Sequence, residues 1–301
     1  MKRKIILENF NIFEQYSAQL LQICPGWPTK VFLQDLNVEQ REQIESLLMK
    51  LYISLHYRNA AFGWCVCEDH TDKTPMSMIV NKVSKEIRNT SIESDSDIDN
   101  LDTRVSSIIS DEDVGYIASK ILLSDKDREK IKRAVFFFQQ GDFYTCSFYL
   151  ATLIDSQNIK TEVSYHKQQE DNKKSSQCWR SFVKIIDYYF ENLLVDKKLS
   201  EAMTQSNRRE AFEQLIEKIN YNQYSVFDTP VPLVIETGYA LLNFFDNTDW
   251  SDYLTTRPAY FNRNWLCHGM YDIEDINRVD CVQLFFLLYS VNKLFSCIAS
   301  T

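Results

Sequence analysis

The chain has 301 residues, 45% apolar and 25% charged, an ordinary soluble composition for one large domain or two smaller ones. Only six Gly and six Pro argue against a turn-rich β-sandwich and for helices, and no apolar stretch reaches the ~18 residues of a membrane-spanning helix. The net charge of −9 is local: residues 91–115 hold eight acidic side chains against Arg104 alone, leaving −2 on the other 276, which excludes a nonspecific nucleic-acid coat but not a basic pocket.

In chain order, Met1-Lys2-Arg3-Lys4 is basic, but Glu8 and Asn9 interrupt the apolar run behind it, so no secretory signal is expected. The eight cysteines fall largely in apolar runs, which suits reduced core thiols in a cytoplasm rather than a disulfide framework. Residues 1–90 read as an N-terminal helical region of unassigned role. A helix is predicted from Val38 to Tyr57, with Ile44, Leu47, Leu48, Leu51 and Leu55 at spacings of three and four. A shorter one is predicted from Met76 to Ile87. Residues 91–115, Ser- and Asp-rich without an aromatic side chain, are predicted to be a solvated acidic linker or loop, and the domain boundary is placed there.

Residues 116–301 carry the strongest helical pattern. Ser124 and Asp125 cap a predicted helix to about Gln140, Gly141-Asp142 makes a corner, and Phe143 to Ser156 is a second helix. Further helices are predicted at Gln177–Val195, Arg209–Ile219 and Leu233–Phe245, with polar loops between. The helix from Ile276 to Ile298 is apolar nearly all round, which implies burial in a bundle or at an interface between chains. The predicted fold class is therefore mainly α.

The chemistry is concentrated just before that helix, in Arg263-Asn264-Trp265-Leu266-Cys267-His268-Gly269. Arginine grips phosphate through a planar fork of donors that stays charged. Histidine exchanges protons near neutrality. Of the four histidines only His268 has an arginine five to seven positions upstream. Together they suit metal-free cleavage of RNA. The plainer alternative has Arg263 bonding helix-end carbonyls and His268 bonding Asp272 or Glu274, merely fixing the loop.

Other candidates carry less. Cys65-x-Cys67-x-x-His70 lacks the second pair of a closed zinc site, so no metal is expected. His56 and His166 stand alone and read as structural or surface residues. Lys126, Lys130, Lys132 and Arg133 form a basic run on one helix, either a solvated face or an RNA path, with Lys130 and Arg133 as RNA-binding candidates. Cys267 adjoins His268, but neighbours on a helix point apart, against a Cys-His nucleophile. Phosphate-cradling Gly-rich loops, G-x-S-x-G and H-E-x-x-H do not occur, so no cofactor is expected.

Residues 127–156 and 257–295, about a quarter of the chain, resemble the HEPN superfamily of α-helical bundles. The likeness rests on the corner Phe138-Gln139-Gln140-Gly141-Asp142-Phe143-Tyr144 with Ser147, Leu150, Ala151, Leu153 and Ile154 behind it, and on Phe261 to Gly269 with its closing helix. It implies a HEPN-like helical domain at 116–301 and a metal-independent endoribonuclease of a toxin or antiphage system. It also implies a homodimer whose composite site joins two copies of the motif. Arg263 would stabilise the phosphoryl charge, His268 would handle protons or hold the phosphate, and Asn264 would orient His268 or the phosphate. A regulatory partner or inhibitor is expected, and the acidic segment is a candidate phosphate mimic for the resting site. The alternative is an inactive HEPN-like module that binds RNA, a nucleotide or a protein. A toxin subgroup has a tyrosine two residues after the histidine; here Tyr271 is three after, so that subgroup's modification is not transferred.

Overall fold

The computed structural model describes residues 15–22, 37–66, 74–90, 95–157, 176–189, 208–218, 231–245 and 261–297. Every regular element among them is helical. Beyond a helical stretch at 15–22, these are α1 (Val38–Ala61), α2 (Pro75–Arg88), α3 (Asp95–Ile108), α4 (Asp111–Ser119), α5 (Asp125–Gln139) and α6 (Phe143–Asp155). Then follow α7 (Gln177–Tyr189), α8 (Arg208–Lys218), α9 (Val231–Phe244), the one-turn α10 (Arg263–Cys267), a 3-10 turn at Ile273–Asp275, and α11 (Arg278–Cys297). The mainly α class is as the composition implies. Among the described residues no helix is long and apolar enough to cross a membrane.

Local chemistry sets the helix starts. Asn37 and Gln40 cap α1 reciprocally, each side chain accepting from the other's backbone N–H. Thr74 accepts from Ser77 N at the start of α2, with Pro75 in the first helical position. Ser124 accepts from Asp127 N, as the sequence implies for α5, and Asp142, expected only at the corner, caps α6 by accepting from Thr145 N. The corner between these two helices is made by Gly141, with φ +75°.

α11 is the axis of the bundle. It packs against α3, α4, α6, α7 and α9, which together cover its nearly continuous apolar circumference. Cys281, Val282, Leu284 to Leu288, Val291, Leu294 and Phe295 are all buried. Of the two explanations for that apolar surface, burial within the chain is the one observed. Around it, α5 pairs with α6 and α1 lies along α9. Phe138 meets Phe285 edge-on at 5.8 Å between ring centres, and Trp64 meets Phe286 at 6.0 Å. A small satellite cluster joins Leu20 to Ile44, Leu47 and Leu51 of α1.

The structure corrects the reading of residues 91–115. From Asp95 onward the segment is helical and folded into the protein. Ile98, Leu101, Val105, Ile109 and Val114 are buried in the same core as Trp64 and Phe285. Its charges are also used. Asp102 accepts from Trp64 Nε1 at 3.0 Å, and Asp111 accepts from Arg278 Nη1 at 2.9 Å. Asp113 closes a capping box with Ser110. Arg104 binds Glu86 and Thr90. Composition averages over a helix whose exposed face is acidic, and so hides the apolar stripe. One core thus spans both sides of the expected boundary, and Asp102, Asp111 and Asp113 are engaged within the fold.

Candidate active site

The Arg263–His268 stretch forms a closed, one-turn module. Asn262, 1% exposed, is its N-cap: Oδ1 accepts from Asn264 N at 2.9 Å and Trp265 N at 3.2 Å. The backbone N–H of Asn262 donates to Tyr271 Oη at 3.0 Å, tying the start of the module to its end. At the other end His268 is the C-cap and Gly269 takes φ +66°. Gly269 N donates to Leu266 O and Met270 N to Trp265 O, the paired bonds of a glycine-terminated helix. Inside, Tyr271 lies between Phe261, stacked at 5.6 Å, and Trp265, tilted at 5.5 Å. Buried Trp265 and Leu266 anchor the turn, so its two ends have fixed positions.

Arg263, at the first position of α10, reaches α6. Its Nη2 donates to Asp155 Oδ2 at 2.8 Å and its Nη1 to Asn264 Oδ1 at 3.1 Å. The Arg263 and Asp155 side chains are 32% and 28% exposed, so the pair sits at the edge of solvent. Asp155 Oδ1 is buried and accepts no hydrogen bond among the described residues. The Asp155 charge also reaches α7: the Cys178 thiol is pushed well above its ordinary pKa, first by burial and then by Asp155.

His268 is exposed at the opposite end of the turn. Five residues of α-helix place it about 140° around the axis from Arg263 and about 7.5 Å along it. One module therefore presents the two side chains in different directions. Asn264, expected to orient His268 or the phosphate, is found with its side-chain oxygen on Arg263. Its backbone oxygen accepts from His268 N at 3.0 Å. The bonds of the Arg263 guanidinium go to side-chain oxygens, not to the helix-end carbonyls of the plainer alternative.

Lys130 and Arg133 lie on α5, and neither of Arg263's two bonds reaches that helix. Lys130 Nζ is paired with Asp127 at 2.9 Å, which, followed by Ser124, lowers the Asp127 pKa. Arg133 is exposed; a side-chain hydrogen bond with Tyr149 of α6 raises its pKa above the ordinary arginine value. Cys67, His70 and His166 lie outside the described residues. Cys65 is buried, and no metal-binding cluster occurs among the described residues.

Two features escaped the sequence. One is Asp155, a lone charge ending an apolar helix, whose partner is 108 residues away. The other is a buried polar centre on Glu236 of α9. Its carboxylate, fully buried, is bonded to His56 Nδ1 at 2.5 Å and accepts from Asn59 Nδ2 at 2.9 Å and Val66 N at 2.5 Å. A charge in the apolar run Val231–Phe244 was the signal, since such residues are rarely buried without partners.

Comparison with known proteins assigns no family: no family model matches the chain, and no curated protein and no solved structure matches it.

Proposed function

We propose that the protein is a metal-independent endoribonuclease whose active site is built from the Arg263–His268 module. The observation that carries this reading is the rigid turn that fixes an oriented arginine at one end and an exposed histidine at the other. Two of the guanidinium's five donors are used in the bonds to Asp155 and Asn264, which aim the fork and leave it donors for a phosphate. The stretches that resemble HEPN proteins also pack as one unit. α5 pairs with α6, α6 packs on α11, and Arg263 bonds to the end of α6.

In the reaction the ribose 2′-oxygen bonds to the adjacent phosphorus and the bond from phosphorus to the 5′-oxygen breaks. The proton leaves the 2′-hydroxyl for a base, and the 5′-oxygen gains one from an acid. The products are a cyclic phosphate and a 5′-hydroxyl. His268 is assigned the proton transfers and Arg263 the charge on the phosphoryl oxygens. Asn264 and Asp155 hold Arg263 in place. The divergent directions of Arg263 and His268 favour a composite site in which a homodimer brings two modules to one phosphate. A cytoplasmic toxin or antiphage enzyme under a regulatory partner belongs to the same proposal.

The test is cleavage of labelled transfer RNA and single-stranded RNA in EDTA by wild type, Arg263→Ala and His268→Ala. Cyclic phosphate ends, lost in both variants, are expected. Wild-type protein without cleavage at any concentration, alone or dimeric, sinks the enzyme. The Arg263–Asp155 pair gives a second reading its footing, because an ion pair joining α10 to α6 serves a binding module equally well. That reading, an inactive HEPN-like module for RNA, a nucleotide or a protein, predicts RNA affinity without turnover.

A further inference from the structure

The α5–α6 hairpin carries exposed aromatic rings that the proposed reaction does not use. Phe136 of α5 is 56% exposed and Phe148 of α6 is 49% exposed, although aromatic rings of this size are ordinarily covered. Next to Phe136 a ladder of rings leans on the core. Phe136 meets Phe137 edge-on at 5.5 Å, and Phe137 stacks on Tyr149 at 5.8 Å with 16° between planes. The exposed Arg133, three and four positions before Phe136 and Phe137, lies on their side of α5.

Helical periodicity relates this surface to the candidate active site. Tyr144, Phe148, Thr152 and Asp155 are separated by four, four and three residues, so they share one face of α6. Asp155 holds Arg263. Phe148 lies two turns away from it, about 10 Å along the helix, which is about three stacked nucleotides at 3.4 Å each. The charge of the surface suits a polyanion. From Phe143 to Ile154 α6 has no acidic side chain, in a protein of net charge −9. The α5 rim has Arg133 and Lys132 against Glu129, which contacts both at 3.9 Å.

We infer that this face is a stacking platform for the bases of single-stranded RNA, with Phe148 at its centre and Arg133 at the strand's phosphates. Flat rings offered to solvent near a guanidinium accept any unstacked base, whereas a duplex hides its bases. The position relative to Arg263 rests on the ribonuclease reading; the stacking does not.

The experiment measures binding of a fluorescent 2′-O-methyl RNA of about twelve nucleotides, within the usual single-strand site sizes. It is done by anisotropy, in EDTA, with the full chain. The methylated strand cannot be cleaved by 2′-attack, so affinity is read apart from turnover. Phe148→Ala and Phe148→Leu are expected to weaken binding about 5- to 100-fold, while Phe148→Trp retains it. Arg133→Ala should reduce the salt slope by about one. Because Phe148 is exposed, melting temperatures should be unchanged. The inference is overturned if wild type does not bind, if a duplex of the same sequence binds as well, or if Phe148→Leu binds like wild type. A Phe148→Ala variant that keeps its RNA affinity but changes its mass in light scattering would mark a protein interface instead. Cleavage of unmodified RNA is scored separately: its absence with stacking intact removes the enzyme and leaves the platform.

Discussion

Arg263 and Asp155, 108 residues apart in sequence, meet at 2.8 Å and join the catalytic candidate to the end of α6. Both side chains are about a third exposed, where an ion pair contributes about 0–1 kcal/mol after solvent screening. The buried Asp155 Oδ1, which accepts nothing among the described residues, offsets part of that. The pair therefore orients the guanidinium more than it stabilises the fold. Asp155→Ala is expected to lower stability by less than about 1 kcal/mol while slowing RNA cleavage at least tenfold. Parallel urea unfolding and cleavage rates check this. Stability falling in step with activity would make the contact a structural tie.

Glu236 contributes in the opposite way. With His56, Asn59 and Val66 N around one fully buried carboxylate, α9 is fixed to α1 and to the loop behind it. Removing the carboxylate strands buried donors. Glu236→Ala should cost about 3–5 kcal/mol, and Glu236→Gln less, because the amide oxygen still accepts. The urea midpoint of each variant reads this out, and an unchanged midpoint for Glu236→Ala would refute it.

Gly238 is required by close packing. A Cβ there would stand 2.2 Å from Phe212 Cζ and 2.8 Å from Phe182 Cζ. Gly238→Ala must push both rings aside, at a cost of about 1–3 kcal/mol or more. A fall in melting temperature of roughly 4–10 °C is expected. Phe212→Leu in the Gly238→Ala background should recover part of it; no recovery would place the strain elsewhere.

The thiols should separate by reactivity. Burial pushes the Cys178 and Cys281 pKa values well above the ordinary range, with Asp155 adding to the first and Cys146 to the second. Cys267 is exposed. Brief alkylation of the native protein, followed by peptide mapping, should modify Cys267 and spare Cys146, Cys178 and Cys281 until denaturant is added. Early modification of Cys178 or Cys281 would contradict their placement.

Most helices were legible because their signals are local. The spacing of Ile44, Leu47 and Leu51, the Ser124 cap, and the Gly141-Asp142 corner all act within a few residues. Ile98, Leu101 and Val105 are just as local, but the acidic residues between them give this packed helix the composition of a linker. The candidate site was half legible. Arg263, Asn264 and His268 announce a chemistry, yet the turn that aims Arg263 and His268 apart comes from Asn262, Gly269 and Tyr271. Asp155 and the Glu236 centre depend on contacts across more than a hundred residues, which no window of sequence displays.

The central place of α11 orders events during synthesis. α3, α4, α6, α7 and α9 all leave the ribosome before the helix they surround, so their inward apolar faces have no partner in the meantime. Nascent chains stalled before Arg278 should therefore recruit chaperones and be digested readily by protease, and the protection should arrive abruptly once α11 has emerged.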